Sequence, residues 1–231
     1  MSLTQTIQTT GVSALKAVLF DLDGTLLNRD ESVRRFIHDQ YARLKGHLTG
    51  IEERDYVTRF IELDQHGYRW KDAVYDQLIQ EFEISGITRQ ELLDDYVNQF
   101  QHFCVAFPNL KPMLSALKAR GLRLGIITNG FGELQMKSIH GLGIRDYFDC
   151  VLVSEWEGMK KPDPALFQRA LERLDVTAGT AMYVGDHALH DIQAAKRVGM
   201  RTVWKRNDRW AESEADADES IDDLSELIMM R

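Results

Sequence analysis

The sequence has little sulfur, no long apolar run and no excess of positive charge. Only two cysteines, Cys104 and Cys150, occur among 231 residues, each inside an apolar stretch. Such thiols read as buried and free rather than as a disulfide, which fits a reducing cytoplasm. No segment approaches about 18 consecutive apolar residues, so no membrane-spanning helix is expected. The formal net charge is −8. That argues against nucleic acid or an anionic membrane as the main partner, because both bind basic surface. A small anionic substrate stays open, since one lysine and a metal ion outweigh the global charge locally. The first dozen residues are polar and lack the apolar centre of a signal peptide. Residues 1–14 are therefore expected to form a flexible leader outside the fold. No internal repeat is visible, and nothing chooses between a monomer and a homodimer.

What is present is an ordinary globular composition, with 44% hydrophobic and 28% charged residues. The length suits one large domain, or a core with a smaller companion. The chain is organised around Val18 to Leu26. This apolar run reads as a strand buried on both faces, and hence as part of a parallel sheet. It ends in Asp21 and Asp23. If the strand continues through Asp23, both carboxylates point the same way. Carboxylates that close repel each other unless a cation sits between them. Asp23-Gly24 is also a common turn dipeptide.

From about Arg29 to Phe103 the pattern is helical, with no convincing strand. Apolar residues recur at three and four after a start at Asp30 or Ser32, then from Glu52 to Gln65, around Val74 to Phe82, and after a capping box at Thr88 to Glu91. An irregular break at His66 to Trp70 interrupts them. After Phe107 strands and helices alternate. Strands are expected at Leu122 to Ile127, Val151 to Val153, Ala181 to Val184 and Arg201 to Trp204. Helices are expected from Leu110, from Glu133, after the Asp163-Pro164 cap, and from Asp191 to Val198. This order predicts an α/β doubly wound, Rossmann-like parallel sheet, with an all-helical domain inserted after the first strand. The expected boundaries are 15–28 and 105–231 for the core and 29–104 for the insertion. The segment from Lys205 to Glu219 reads as a solvated loop before a short closing helix.

Polar residues recur at the same structural place. Asp21 and Asp23 end one strand, Thr128 and Asn129 another, and Asp186 a third; Lys161 follows a fourth. In a parallel sheet these ends share one edge, where ligands bind. Here the chain resembles the haloacid dehalogenase superfamily. Asp21-Leu22-Asp23-Gly24-Thr25 matches its first motif, Thr128 its second, Lys161 its third, and Gly185, Asp186 and Asp191 its fourth, in family order. The 29–104 block matches the family's helical cap. The resemblance implies that Asp21 is a nucleophile forming an aspartyl-phosphate and that Asp23 is the general acid and base. Mg²⁺ would be held by Asp21, Asp186, the Asp23 carbonyl and Asp191. Thr128, Asn129, Gly130 and Lys161 would bind the phosphate. Arg69 and Trp70 in the cap break, and His187 and His190 in the fourth motif, are candidate substrate contacts. Trp70 reads equally as cap core and Arg69 as a surface charge; the histidines read also as an exposed loop.

The expected activity is that of a Mg²⁺-dependent phosphatase on a small phosphorylated metabolite. A 2-haloacid dehalogenase is the first rival, but a halide leaves without a proton and such enzymes generally lack the second motif-one aspartate. A phosphomutase of the same superfamily is a second. A phospho-aspartate signalling receiver, the non-enzymatic rival, needs neither Asp23 nor an inserted cap.

Overall fold

The computed structural model describes residues 14–230. Apart from residue 14, the leader expected at 1–14 lies outside them. The apolar runs become strands β1 (Ala17–Phe20), β2 (Arg123–Thr128), β3 (Cys150–Val153), β4 (Ala181–Gly185) and β5 (Arg201–Lys205). With β6 (Glu219–Ile221) they form one sheet in the order β3-β2-β1-β4-β5-β6, parallel throughout. β6 was not expected. It is short and polar, so it carries no alternation; Asp218 docks it by accepting from the Thr202 amide and hydroxyl, both at 2.8 Å.

Side-chain alternation along β1 splits the core into two layers. Ala17 and Leu19 face α8 (Pro164–Arg173), which contributes Leu166, Phe167 and Leu171. Each such side chain contributes about 1.5–3 kcal/mol on burial. Val18 and Phe20 face the other way, into a cluster that includes α5 (Leu110–Ala119) and runs on into the inserted helices. Those helices are α1 (Arg29–Leu44), α2 (Glu53–Asp64), α3 (Lys71–Glu81) and α4 (Arg89–Gln99). They pack around Phe36, Tyr56, Phe60, Tyr75 and Tyr96, all buried. Thr88 and Glu91 form the expected reciprocal cap. The start of α1 differs from expectation. Asn28 is its cap, accepting from the Glu31 amide, while Ser32 donates to the Asn28 carbonyl at 2.7 Å.

The chain leaves and re-enters the sheet domain at one place. The Asn28 amide donates to the Val105 carbonyl at 2.8 Å, and Leu27 bridges Ala106. Arg29, at the exit, makes a two-pronged ion pair with buried Asp64 at 2.7 and 3.0 Å, and Lys71 closes on the same carboxylate. This triad ties the starts of α1 and α3 to the end of α2. Cys104 and Cys150 are free thiols. No helix among the described residues is long and apolar enough to cross a membrane.

Candidate active site

Polar residues collect where the strands stop. β1 ends at Phe20, so the strand does not continue through Asp23 and the two carboxylates do not share it. The Leu22 carbonyl accepts from the amides of Thr25, Leu26 and Leu27 at 3.3, 3.0 and 2.9 Å, which curls the chain at once. Gly24 takes a φ of +93° in that curl. A Cβ there would lie 2.3 Å from Asp186 Oδ2, so the turn sits directly against the end of β4.

Lys161 reaches into this corner. Its Nζ donates to Asp21 Oδ1 at 2.6 Å and Asp191 Oδ1 at 2.7 Å, with the Tyr183 hydroxyl at 3.3 Å. Asn129 fixes the lysine backbone, accepting from its amide at 2.9 Å and donating to its carbonyl at 3.0 Å. Lys161 lies in a turn, and the Lys161–Pro162 peptide is cis. The helix expected to begin at Asp191 instead opens as a wide π-helical turn, Ala188–Gln193, before α9 (Ala194–Arg197). Inside it Asp191 accepts from the His187 amide at 3.0 Å. Gly185 makes room, since a Cβ there would lie 2.4 Å from Asp191 Cβ.

One carboxylate oxygen from each of Asp21, Asp186 and Asp191 lies within 4.8 Å of the others, and all three residues are buried. Burial pushes the Asp21 carboxyl well up; Lys161 pulls it down, and Asp191, Asp186 and Asp23 push it up again. Asp186 rises to about 7, from burial and then Asp191, against the pull of Arg209. Burial opposes the Lys161 charge, yet Asp191 and Asp21 hold its ammonium above the usual range. Three buried carboxylates converging on one point fit a bound cation, and an all-oxygen donor set suits a hard divalent one.

Residues 18–205 match the haloacid dehalogenase-like hydrolase family. The chain belongs to that family. It is 30% identical to the glyceraldehyde 3-phosphate phosphatase of Pyrococcus abyssi, covering 82% of this chain and 81% of that one. A haloacid dehalogenase-type phosphatase from Thermococcus onnurineus superposes with a TM-score of 0.65 at 33% identity, over 92% and 96% of the two chains. A 2-haloacid dehalogenase from Pseudomonas syringae gives 0.60 at 30% identity, over 92% and 96%.

In this haloacid dehalogenase-like chain a cavity of about 680 Å³ opens over the strand ends. Asp21, Asp23, Thr128, Asn129, Lys161, Asp186 and Asp191 line it, as do His187 and His190. Those two histidines are partly buried rather than an exposed loop. Their rings stack at 3.9 Å, and His187 Nδ1 accepts from the Leu189 and His190 amides. Burial, with His190 beside it, holds His187 down at about 4, so it is neutral near pH 7.

Gly130 and Arg69 do not line this cavity. The Gly130 amide donates at 3.0 Å to Oγ of Ser154, the first residue of α7 (Ser154–Glu157). Arg69 turns to Gln77 and the Ala73 carbonyl within the cap. Trp70 stacks on Phe131 at 3.7 Å and lines a smaller neighbouring cavity of about 80 Å³. From the cap break it is His66, Gly67 and Tyr68 that face the large cavity.

Several site residues were not foreseen. Gln135, on α6 (Gly132–Gly141), donates to Asp23 Oδ2 at 2.8 Å and Thr128 Oγ1 at 2.6 Å. Arg209 holds Asp186 Oδ2 at 2.5 Å, and Asn207 donates to the Asp186 carbonyl at 2.8 Å. The start of the segment expected to be solvated, Lys205 to Trp210, is therefore a wall of the site. The available signal was position: Lys205 ends a parallel strand, as the other site residues do.

Proposed function

We propose that this chain is a Mg²⁺-dependent phosphatase that hydrolyses a small phosphorylated metabolite through an aspartyl-phosphate. The carrying observation is the pairing of two unlike carboxylates on one cavity wall. Asp21 is pinned by Lys161, while Asp23, two residues on, is held apart by Gln135. One is placed to attack and the other to move a proton.

A bound Mg²⁺ would be held by Asp21, Asp186, Asp191 and the Asp23 carbonyl, and would supply charge neutralisation for a dianionic phosphate approaching a carboxylate. The chain's own residues do the rest. Asp21 attacks phosphorus, and the bond from phosphorus to the ester oxygen breaks. Asp23 gives its proton to that oxygen. Water then attacks phosphorus, Asp23 takes its proton, and orthophosphate leaves with Asp21 restored. Lys161 offsets charge on the transferring group, and the Thr128 hydroxyl and Asn129 side of the wall orient its oxygens. Gln135 positions Asp23 relative to Thr128.

The core and cap boundaries, 15–28 and 105–231 against 29–104, accompany this reading and are supported by the pairing of Asn28 with Val105. The free thiols support a reducing, cytoplasmic setting.

The test is phosphate release from p-nitrophenyl phosphate with Mg²⁺, which Asp21→Asn should abolish. Asp23→Asn should slow both formation and breakdown of the intermediate. Chloride release from L-2-chloropropionate, with no phosphate released from any ester, would assign a dehalogenase instead.

A further inference from the structure

The cavity holds a buried lysine that the phosphoryl chemistry does not use. Lys205 ends β5 and is 5% exposed. Its Nζ sits over the Phe107 ring at 3.5 Å. Among the described residues it makes no hydrogen bond, and no carboxylate comes within ion-pair distance. Asp186, Asp222 and Asp223 act on it only from farther away. The one fully enclosed polar side-chain atom without a partner among the described residues is the Tyr56 hydroxyl, so the Lys205 ammonium still meets the cavity. A buried, unpaired ammonium is costly unless something anionic reaches it. Arg209, four residues on, spends only Nη2, on Asp186, and among the described residues keeps Nε and Nη1 without protein partners.

We propose that Lys205, assisted by Arg209, forms a second anion subsite, so that the preferred substrate is a phosphomonoester carrying a further acidic group, phosphate or carboxylate. The inference rests on the phosphatase reading for the place of the first phosphate. It moves part of the leaving-group recognition from the cap to the loop after β5. Phe107 gives the ammonium a dry floor, which strengthens its pairing with a ligand anion.

The test is equilibrium binding to the full chain by isothermal titration. The probes are alkylphosphonates and α,ω-alkane bisphosphonates of graded length, none of which is hydrolysed. At the best length the bisphosphonate should bind at least about tenfold tighter than its monophosphonate, the scale of one charge-assisted hydrogen bond. Lys205→Met should bring the two within about twofold, while Lys205→Arg should keep a preference. Lys205→Gln serves if Lys205→Met does not fold. ω-Phosphonocarboxylates separate a carboxylate from a phosphate as the second acid. Equal affinity of the wild type for mono- and bisphosphonates, or a preference that survives loss of the Lys205 charge, overturns the inference. Wild type that binds both alike yet hydrolyses p-nitrophenyl phosphate loses the subsite and keeps the phosphatase reading. Wild type that prefers bisphosphonates but hydrolyses no ester loses only the phosphatase reading.

Discussion

Gly24→Ala tests whether the curl after β1 sets the spacing of the carboxylates. The missing Cβ would lie 2.3 Å from Asp186 Oδ2, and non-bonded heavy atoms settle near 3.5 Å, so one of them must retreat by about 1 Å. Asp186 is poorly able to retreat, because Arg209 Nη2 holds its Oδ2 at 2.5 Å while Trp204 Nε1 and Asn207 Nδ2 both donate to its main-chain carbonyl, at 3.0 and 2.8 Å. The backbone is no freer, since φ is +93° and alanine there costs about 1–2 kcal/mol. Together these predict a loss of about 2–3 kcal/mol, or roughly 4–12 °C in Tm for a chain of this size. Displacing a site carboxylate by about 1 Å should also lower kcat by about 10²-fold. Thermal melts followed by circular dichroism, with initial rates on p-nitrophenyl phosphate, measure both. Gly179→Ala is the control: no atom lies within 4 Å of its Cβ position, so stability should stay within about 0.5 kcal/mol. Wild-type kcat and Tm for Gly24→Ala would refute the reasoning.

Lys161→Met removes the cation between Asp21 and Asp191 and should lower kcat by roughly 10²–10³-fold, read by single-turnover rates on p-nitrophenyl phosphate. Arg29→Met leaves buried Asp64 with Lys71 alone and should cost about 3 kcal/mol in urea unfolding. Burial alone would raise the Asp64 carboxyl, but Arg29 and Lys71 outweigh it and hold it below 3.8. Its folded value is depressed, so its contribution is complete above that unfolded value and fades as pH falls through the folded one. Asp64→Asn should flatten acid unfolding in that window. Chelation should abolish turnover, and Mg²⁺ at about 100 times its Kd should restore it and add about 2.7 kcal/mol of stability.

The sheet edge was legible because three of its four motifs end apolar runs. Asp21, Thr128 and Asp186 are strand-terminal, and parallel strands carry their ends to one edge. The site's second layer was not legible in that way. Gln135 looks like any polar residue on an amphipathic helix; only the docking of α6 brings it to Asp23 and Thr128. Tyr183 reads as strand core, although its hydroxyl meets Lys161 and Asp191. Arg209 sits in a charged stretch that resembles solvated loop until β6 pairs with β5 and folds the segment back. Arg69 and Trp70 carry suitable chemistry, but they lie in a break whose backbone path does not follow from local pattern. Left-handed conformations at Gln65 and His66 turn Tyr68, rather than Arg69, to the large cavity.

The central claim is that Asp21 carries the phosphoryl group and that water then attacks phosphorus. A single turnover in water labelled with heavy oxygen, followed by mass spectrometry of the released phosphate and of the Asp21 peptide, tests it most directly. The account predicts label in the phosphate and none in Asp21. Label in the Asp21 carboxylate would contradict it, because water would then have attacked a carboxyl carbon, as in hydrolysis of an alkyl ester.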